Sequence, residues 1–250
     1  MVKKIKLSHA LLLLSTCILI SCASAKLSSP KENPAAQSVQ LEGEWWNQRH
    51  ETIKSRLKSD PELILVGNSI FHTLEEEDRK EVWTKYLDQY RTVDMGISGD
   101  RTENVIWRIE NGTLEGINPK VAVILIGTNN TDGNHYLNIS TPEELADGIY
   151  KICSLLNQKL PNTEILLMGI LPYGYKPNHR DNINKATNKL LSSFPKKNSK
   201  IHYIDISSEY VDENGKVNKE LMPDYLHPNA EGHLLMFKAF DADIQKLITE

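Results

Sequence analysis

Apolar positions along this chain follow two patterns that take turns. Short runs rich in apolar residues cover residues 63–67, 92–97, 121–126, 164–171 and 201–206. Runs of that length predict strands, and the uninterrupted Val-Ala-Val-Ile-Leu-Ile of 121–126 predicts one buried on both faces. Between them, apolar residues recur at helical spacing. Trp45, Trp46, Ile53 and Leu57 predict a helix over 42–59, closed by Asp60-Pro61. Val82, Trp83, Tyr86 and Leu87 predict another over 75–90. Further helices are predicted over 104–110, 141–160, 181–194 and from Pro228 onward. Strands alternating with helices imply an α/β fold whose parallel sheet is covered by helices. Both tryptophans are expected in the core, with stacking on a sugar as the alternative.

Residues 1–25 fit neither pattern. Lys3, Lys4 and Lys6 precede an apolar stretch over 10–20, and small residues follow. This describes an export signal, too short to span a bilayer as a stable helix. Leu19-Ile20-Ser21-Cys22 resembles the lipobox of bacterial lipoproteins, which implies that Cys22 is lipidated and becomes the first mature residue. Cleavage after Ala23-Ser24-Ala25, releasing a soluble protein, is the alternative. Residues 23–41 are rich in Ser, Ala, Lys, Pro and Gln without periodicity, as in a flexible tether. The expected division is a signal over 1–21, a tether over 22–41 and one domain over 42–250. The expected location is outside the cytoplasm, anchored to a bacterial membrane through the N-terminal lipid, in the periplasm or on the cell surface.

Charge and cysteine narrow the choice of partner. The net charge of −4 becomes more negative once the three signal lysines are removed. An acidic chain without basic clusters excludes nucleic acid as a partner. With Cys17 lost and Cys22 lipidated, Cys153 has no mate for a disulfide, and its spacing with Ile149, Ile152 and Leu156 places it in the core. No His, Cys, Asp or Glu spacing matches a zinc site, so neither metal nor other cofactor is expected. The sequence does not specify an oligomeric state.

The candidate chemistry sits where strands end, the place open α/β sheets give to ligands. Gly67-Asn68-Ser69 follows the first strand, so Ser69 is either a nucleophile or a turn serine capping the next helix. Ser98-Gly99-Asp100 follows the second, where Gly99 can turn backbone N–H groups into a cleft. Gly127-Thr128-Asn129 follows the third. Asn129 is either a side-chain donor to a developing negative charge or an ordinary turn residue. Asp224 and His227 precede the last helix. A carboxylate three residues before an imidazole can hold Nδ1 so that Nε2 acts as a base; a helix-start Asp beside a solvent His is the plainer alternative. His135, in a polar loop, is expected at a cleft rim.

Taken in chain order, four blocks resemble the SGNH hydrolase (GDSL esterase) superfamily: Val66-Gly67-Asn68-Ser69-Ile70, Gly96-Ile97-Ser98-Gly99-Asp100, Gly127-Thr128-Asn129 and Asp224-Tyr225-Leu226-His227. The run Ile106-Trp107-Arg108-Ile109-Glu110-Asn111-Gly112 is similar to the catalytic-subunit group of platelet-activating-factor acetylhydrolases. The resemblance implies a flavodoxin-like three-layer α/β/α sandwich with five parallel strands. It implies Ser69 as nucleophile, His227 as base and Asp224 as its orienter, with an oxyanion hole from the N–H groups of Ser69 and Gly99 and the amide of Asn129. Asn68 departs from the family, which usually has Asp there. The implied activity is an esterase removing short acyl groups, acetyl foremost, from a glycan or other small ester. An acyltransferase on the same triad, or a glycan-binding protein on the same scaffold, are the alternatives.

Overall fold

Five parallel strands form the middle layer, in the order β2-β1-β3-β4-β5. They are β1 (Leu63–Gly67), β2 (Val93–Asp94), β3 (Val121–Leu125), β4 (Glu164–Met168) and β5 (Ile201–Ile204). The principal helices are α1 (Glu44–Leu57), α2 (Ser69–His72), α3 (Thr102–Glu110), α4 (Pro142–Lys159), α5 (His179–Leu191) and α6 (Ala230–Thr249). This is a computed structural model, and it describes residues 32–249. The expected export signal and Cys22 lie outside the described residues.

Alternation along the strands sends neighbouring side chains to opposite layers. Ile64, Val66, Ala122, Ile124, Ile165 and Leu167 pack with α1, α3 and α4. Leu63, Leu65, Val121, Val123, Leu166 and Met168 pack with α6 and the segment that follows β1. All twelve are at most 1% exposed, and in the central strands β1 and β3 neither face meets solvent, so their apolar runs are unbroken. Cys153 is buried in the first of these layers. The order places β1 and β3 side by side, where the chain leaves β1 for the β2 edge and returns on the other side. That reversal opens a crevice beyond the strands' carboxyl ends.

Four expectations change. The helix over 75–90 is a string of short turns, including a π turn at Trp83–Leu87. Val82, Tyr86 and Leu87 are all buried. In a regular α-helix Leu87 would point well round from Val82; the wider π turn brings both to the core. The strand over 92–97 keeps only Val93–Asp94 as regular pairing, although Met95 N–H still donates to Leu65 O at 2.8 Å. The turn after β1 presses on Gly96, where a Cβ would lie 2.5 Å from the backbone nitrogen of His72.

Trp46 is in the core, but Trp45 is 54% exposed. The tether is the fourth change, because residues 33–41 are docked on the domain. Asn33 Nδ2 donates to Glu144 O at 2.9 Å, and Thr102 Oγ1 donates to Ala35 O at 2.7 Å. Val39 N–H donates to Glu103 O at 3.1 Å, and Asn104 Nδ2 to Val39 O at 3.0 Å. Ala35 is fully buried against Gly148, where a Cβ would come within 2.4 Å of the Ala35 carbonyl. The composition is that of a linker, yet its backbone finds donors and acceptors on α3 and α4, and packing overrides propensity.

Candidate active site

Ser69 is the first residue of α2, presented at the end of β1 by a turn that Asn68 stabilises. The Asn68 side-chain oxygen accepts from Ile70 N–H at 3.1 Å. Its amide nitrogen is buried without a partner. Ser69 Oγ lies 2.8 Å from His227 Nε2, and His227 Nδ1 lies 2.7 Å from Asp224 Oδ2. Because Asp224 can only accept, Nδ1 carries the hydrogen and Nε2 is left to accept from the serine hydroxyl.

The turn that closes this pair has an unusual backbone. Tyr225 takes a φ of 62°, a left-handed conformation that costs a bulky residue roughly 1–3 kcal/mol. It folds Leu226 N–H and His227 N–H back onto Asp224 Oδ1, at 3.0 and 2.7 Å. Gly174 N–H, donating to Tyr225 O at 2.8 Å, pins the turn from the facing loop. Burial works against the Asp224 charge, but the hydrogen bonds from the His227 backbone and ring and from Leu226 N–H outweigh it and hold the carboxyl below its usual range.

The three expected oxyanion donors meet at the same cleft, which is about 500 Å³ and is lined by Ser69, Gly99, Asn129 and His227 among others. Gly99 has a φ of 85°, a conformation open to glycine at no steric cost. The N–H groups of Ser69 and Gly99 donate to no group among the described residues. Asn129 Nδ2 donates one hydrogen to Asp100 O at 2.9 Å, and an amide carries a second. The neighbouring Asn130 faces away, bridging the Thr102 N–H and hydroxyl at 3.0 Å each, so the two asparagines divide cleft and scaffold between them.

Behind Gly99 runs a buried polar brace. Asp100 accepts from the Trp46 indole at 2.7 Å and pairs with Arg108 at 2.7 Å, and Arg108 also donates to Met95 O at 2.9 Å. Burial pushes the Asp100 carboxyl up to about 6, against the pull of Arg108. From the opposite side Arg49 donates to Gly96 O at 3.1 Å and grips Glu75 with both terminal nitrogens. The glycine turn is thus held by α1 and α3 together. Removing one member of such a buried pair costs about 3–5 kcal/mol.

Several cleft residues carried no signal of their own in the sequence. The Tyr136 hydroxyl donates to Gly99 O at 2.8 Å, and Thr73, Glu76 and Tyr173 line the walls. Tyr136 lies in the polar loop expected at the rim, and that loop was the only pointer to it. His135 is at the rim, with Nδ1 2.5 Å from Asp132 and most of its side chain in solvent.

Comparison with known proteins gives one consistent result. Residues 65–235 match the model of the GDSL-like Lipase/Acylhydrolase family. Platelet-activating factor acetylhydrolase IB subunit alpha2 of Rattus norvegicus is 32% identical over 224 residues, covering 89% of this chain and 93% of that protein. Among solved structures, an acetyl xylan esterase superposes with a TM-score of 0.60 at 22% identity, covering 72% of this chain and 98% of that one. A carbohydrate acetylesterase from Sinorhizobium meliloti superposes with a TM-score of 0.58 at 16% identity, covering 74% and 98%.

Proposed function

We propose that this chain, which belongs to the GDSL-like lipase/acylhydrolase family, is an exported serine esterase that removes acetyl or other short acyl groups from carbohydrate. The observation that carries the reading is the unbroken hydrogen-bonded chain from Asp224 through His227 to Ser69, opening on the cleft that also holds Gly99 and Asn129.

Ser69 Oγ attacks the ester carbonyl carbon as its proton passes to His227 Nε2. The imidazolium so formed is stabilised by Asp224, ionised and already hydrogen-bonded to Nδ1. The carbonyl oxygen becomes an oxyanion and receives hydrogen bonds from Ser69 N–H, Gly99 N–H and the second hydrogen of the Asn129 amide. The tetrahedral intermediate collapses, the C–O bond to the alcohol breaks, and His227 Nε2–H protonates the leaving alkoxide. Water then gives a proton to Nε2 and attacks the acyl-enzyme; a second collapse releases the carboxylic acid and returns the proton to Ser69.

Two features support a small acyl group on a hydroxyl-rich alcohol. The cleft walls offer hydroxyls, carboxylates and two tyrosine rings, and Leu226 is the one aliphatic side chain among the described residues there, so a long acyl chain meets no aliphatic groove. Glu76 and Asp132 are among the described residues lining the cleft and no lysine or arginine is, which favours a neutral hydroxylated alcohol over an anionic one. The relative and both neighbours carry names that specify acetyl removal, and the two neighbours act on carbohydrate.

Export and lipidation at Cys22 belong to the same proposal, since a glycan substrate outside the cell requires the enzyme there. Two acyl signals anchor far more firmly than one. Cys22→Ala is expected to shift the protein from the membrane to the soluble fraction or leave it unprocessed. A wild type found soluble, with its mature end at Lys26, refutes the anchor. For the esterase, purified mature protein is assayed on an aryl acetate with and without a sugar acceptor. Acetate release by wild type and not by Ser69→Ala is expected; equal release by both ends the covalent mechanism. Transfer to the sugar in preference to water would make the protein an acyltransferase.

A further inference from the structure

A second depression adjoins the catalytic cleft, and the mechanism does not use it. It is about 280 Å³ and is lined by His72, Thr73, Glu75, Glu76 and Ser98. Thr73, Glu76 and Ser98 also line the cleft that holds Ser69, so one groove leads from the nucleophile to His72. Against His72 stands Trp45, its ring centroid 5.8 Å away and its plane tilted by 33°. Trp45 is 54% exposed, while its neighbour Trp46 is at 1%. An indole left in solvent beside a groove that leads to the nucleophile offers a flat apolar face with a polar edge to whatever occupies that groove.

The ring beside it is prepared for a particular kind of partner. Ser98 N–H donates to His72 Nδ1 at 3.3 Å, and the Ser98 hydroxyl lies 3.0 Å from the same nitrogen. Burial, helped by Arg49, pushes the His72 ring down to about 4, so it is neutral at working pH. A neutral ring that accepts at Nδ1 carries its hydrogen on Nε2, and Nε2 has no partner among the described residues. The depression therefore holds a ring donor in His72 and a carboxylate acceptor in Glu76, and the half-exposed Trp45 indole stands beside it against His72. A sugar ring presents the complement: one face of C–H groups and an edge of hydroxyls that both donate and accept.

We infer that Trp45 and His72 form a subsite for a sugar residue adjoining the acylated one, so that the substrate is an oligosaccharide rather than a lone esterified sugar. This rests on the carbohydrate reading above and adds a residue outside the four family blocks. Its contribution is to substrate binding, since Trp45 touches neither Ser69 nor the oxyanion donors.

Wild type, Trp45→Ala and Trp45→Phe are compared on acetylated xylooligosaccharides and on 4-nitrophenyl acetate, and xylotriose binding is followed by tryptophan fluorescence. Trp45→Ala is expected to raise KM for the oligosaccharide by about three- to tenfold, the scale of one aromatic contact. The loss on the aryl ester should be smaller by a factor of at least about three, and Trp45→Phe should recover most of the oligosaccharide KM. Xylotriose should perturb the fluorescence of wild type and not of Trp45→Ala. Equal losses on both esters, or an oligosaccharide KM within about twofold of wild type, overturn the subsite and leave the esterase standing. A wild type that cleaves the aryl ester but neither cleaves the oligosaccharide nor binds xylotriose overturns the carbohydrate reading and the subsite together. Xylotriose binding that depends on Trp45 upholds the subsite even where turnover of the xylan ester is absent.

Discussion

Replacing Asn129 with alanine removes one donor from the cleft and one from the scaffold, and the two losses can be measured apart. The Asn129 amide gives one hydrogen to Asp100 O at 2.9 Å and has the other for the oxyanion. Loss of one oxyanion donor costs about 2.7–4 kcal/mol of transition-state stabilisation, a fall in kcat of roughly 10²- to 10³-fold. KM should change little, because the ground-state carbonyl carries less charge than the oxyanion. The buried Asp100 carbonyl is orphaned at the same time, at a cost of about 1–3 kcal/mol of stability. The assay is steady-state hydrolysis of an aryl acetate well below the thermal midpoint, beside urea denaturation of the same samples. Asn129→Asp, nearly isosteric but unable to donate when ionised, should be at least as impaired. A folded Asn129→Ala enzyme with kcat within about tenfold of wild type would refute the oxyanion role and leave Asn129 a scaffold residue.

Other expectations follow from the same geometry. Ser69→Ala and His227→Ala should each lower kcat by several powers of ten, and the double variant should be scarcely worse than either; additive losses would mean that the two side chains act separately. Asn68→Asp keeps the oxygen that caps Ile70 N–H and exchanges an unpartnered amide for a second oxygen, so kcat/KM should stay within about tenfold, whereas a loss beyond about a thousandfold would give Asn68 a direct part in the reaction. His233, buried with Nε2–H donating to Ile70 O at 2.8 Å, is pushed down to about 4 mainly by burial. Below pH 6.5 the unfolded chain binds this proton before the folded one does, so stability falls as pH drops from there through about 4. The share of this histidine in the loss between pH 7 and 4.5 is roughly 2.5 kcal/mol, read as the difference between wild type and His233→Gln in urea titrations. A His233→Gln variant that stays as acid-sensitive as wild type counts against this.

How much of this was legible follows from the range of the interactions involved. The strands could be read because a doubly covered sheet demands apolar residues at every position, and Val121–Leu125 shows it without a gap. The strand-end residues could be read because Ser69, Gly99 and Asn129 each interrupt such a run in the same way. Trp45 and Trp46 could not be told apart, because one position along a helix separates core from solvent and α1 begins with both. The π turn at Trp83–Leu87 was hidden because helical spacing looks the same until the neighbouring layer selects which residues are buried. Residues 33–41 were misread because the contacts that dock them on the domain lie far along the chain.

That last distance has a consequence for the order in which the protein is built. The partners on which the segment docks lie between 64 and 115 positions later in the chain. Closing loops of this length carries an entropic cost before any contact repays it, which places the step late in folding. Ser69 and His227 are separated by 158 positions, so the catalytic hydrogen bond must also wait for nearly the whole chain. Leu41, at the end of that segment, lies within 3.9 Å of where a Gly99 side chain would begin. The docked segment therefore ends beside the glycine turn, and a contact closed over so long a loop reaches the wall of the cleft.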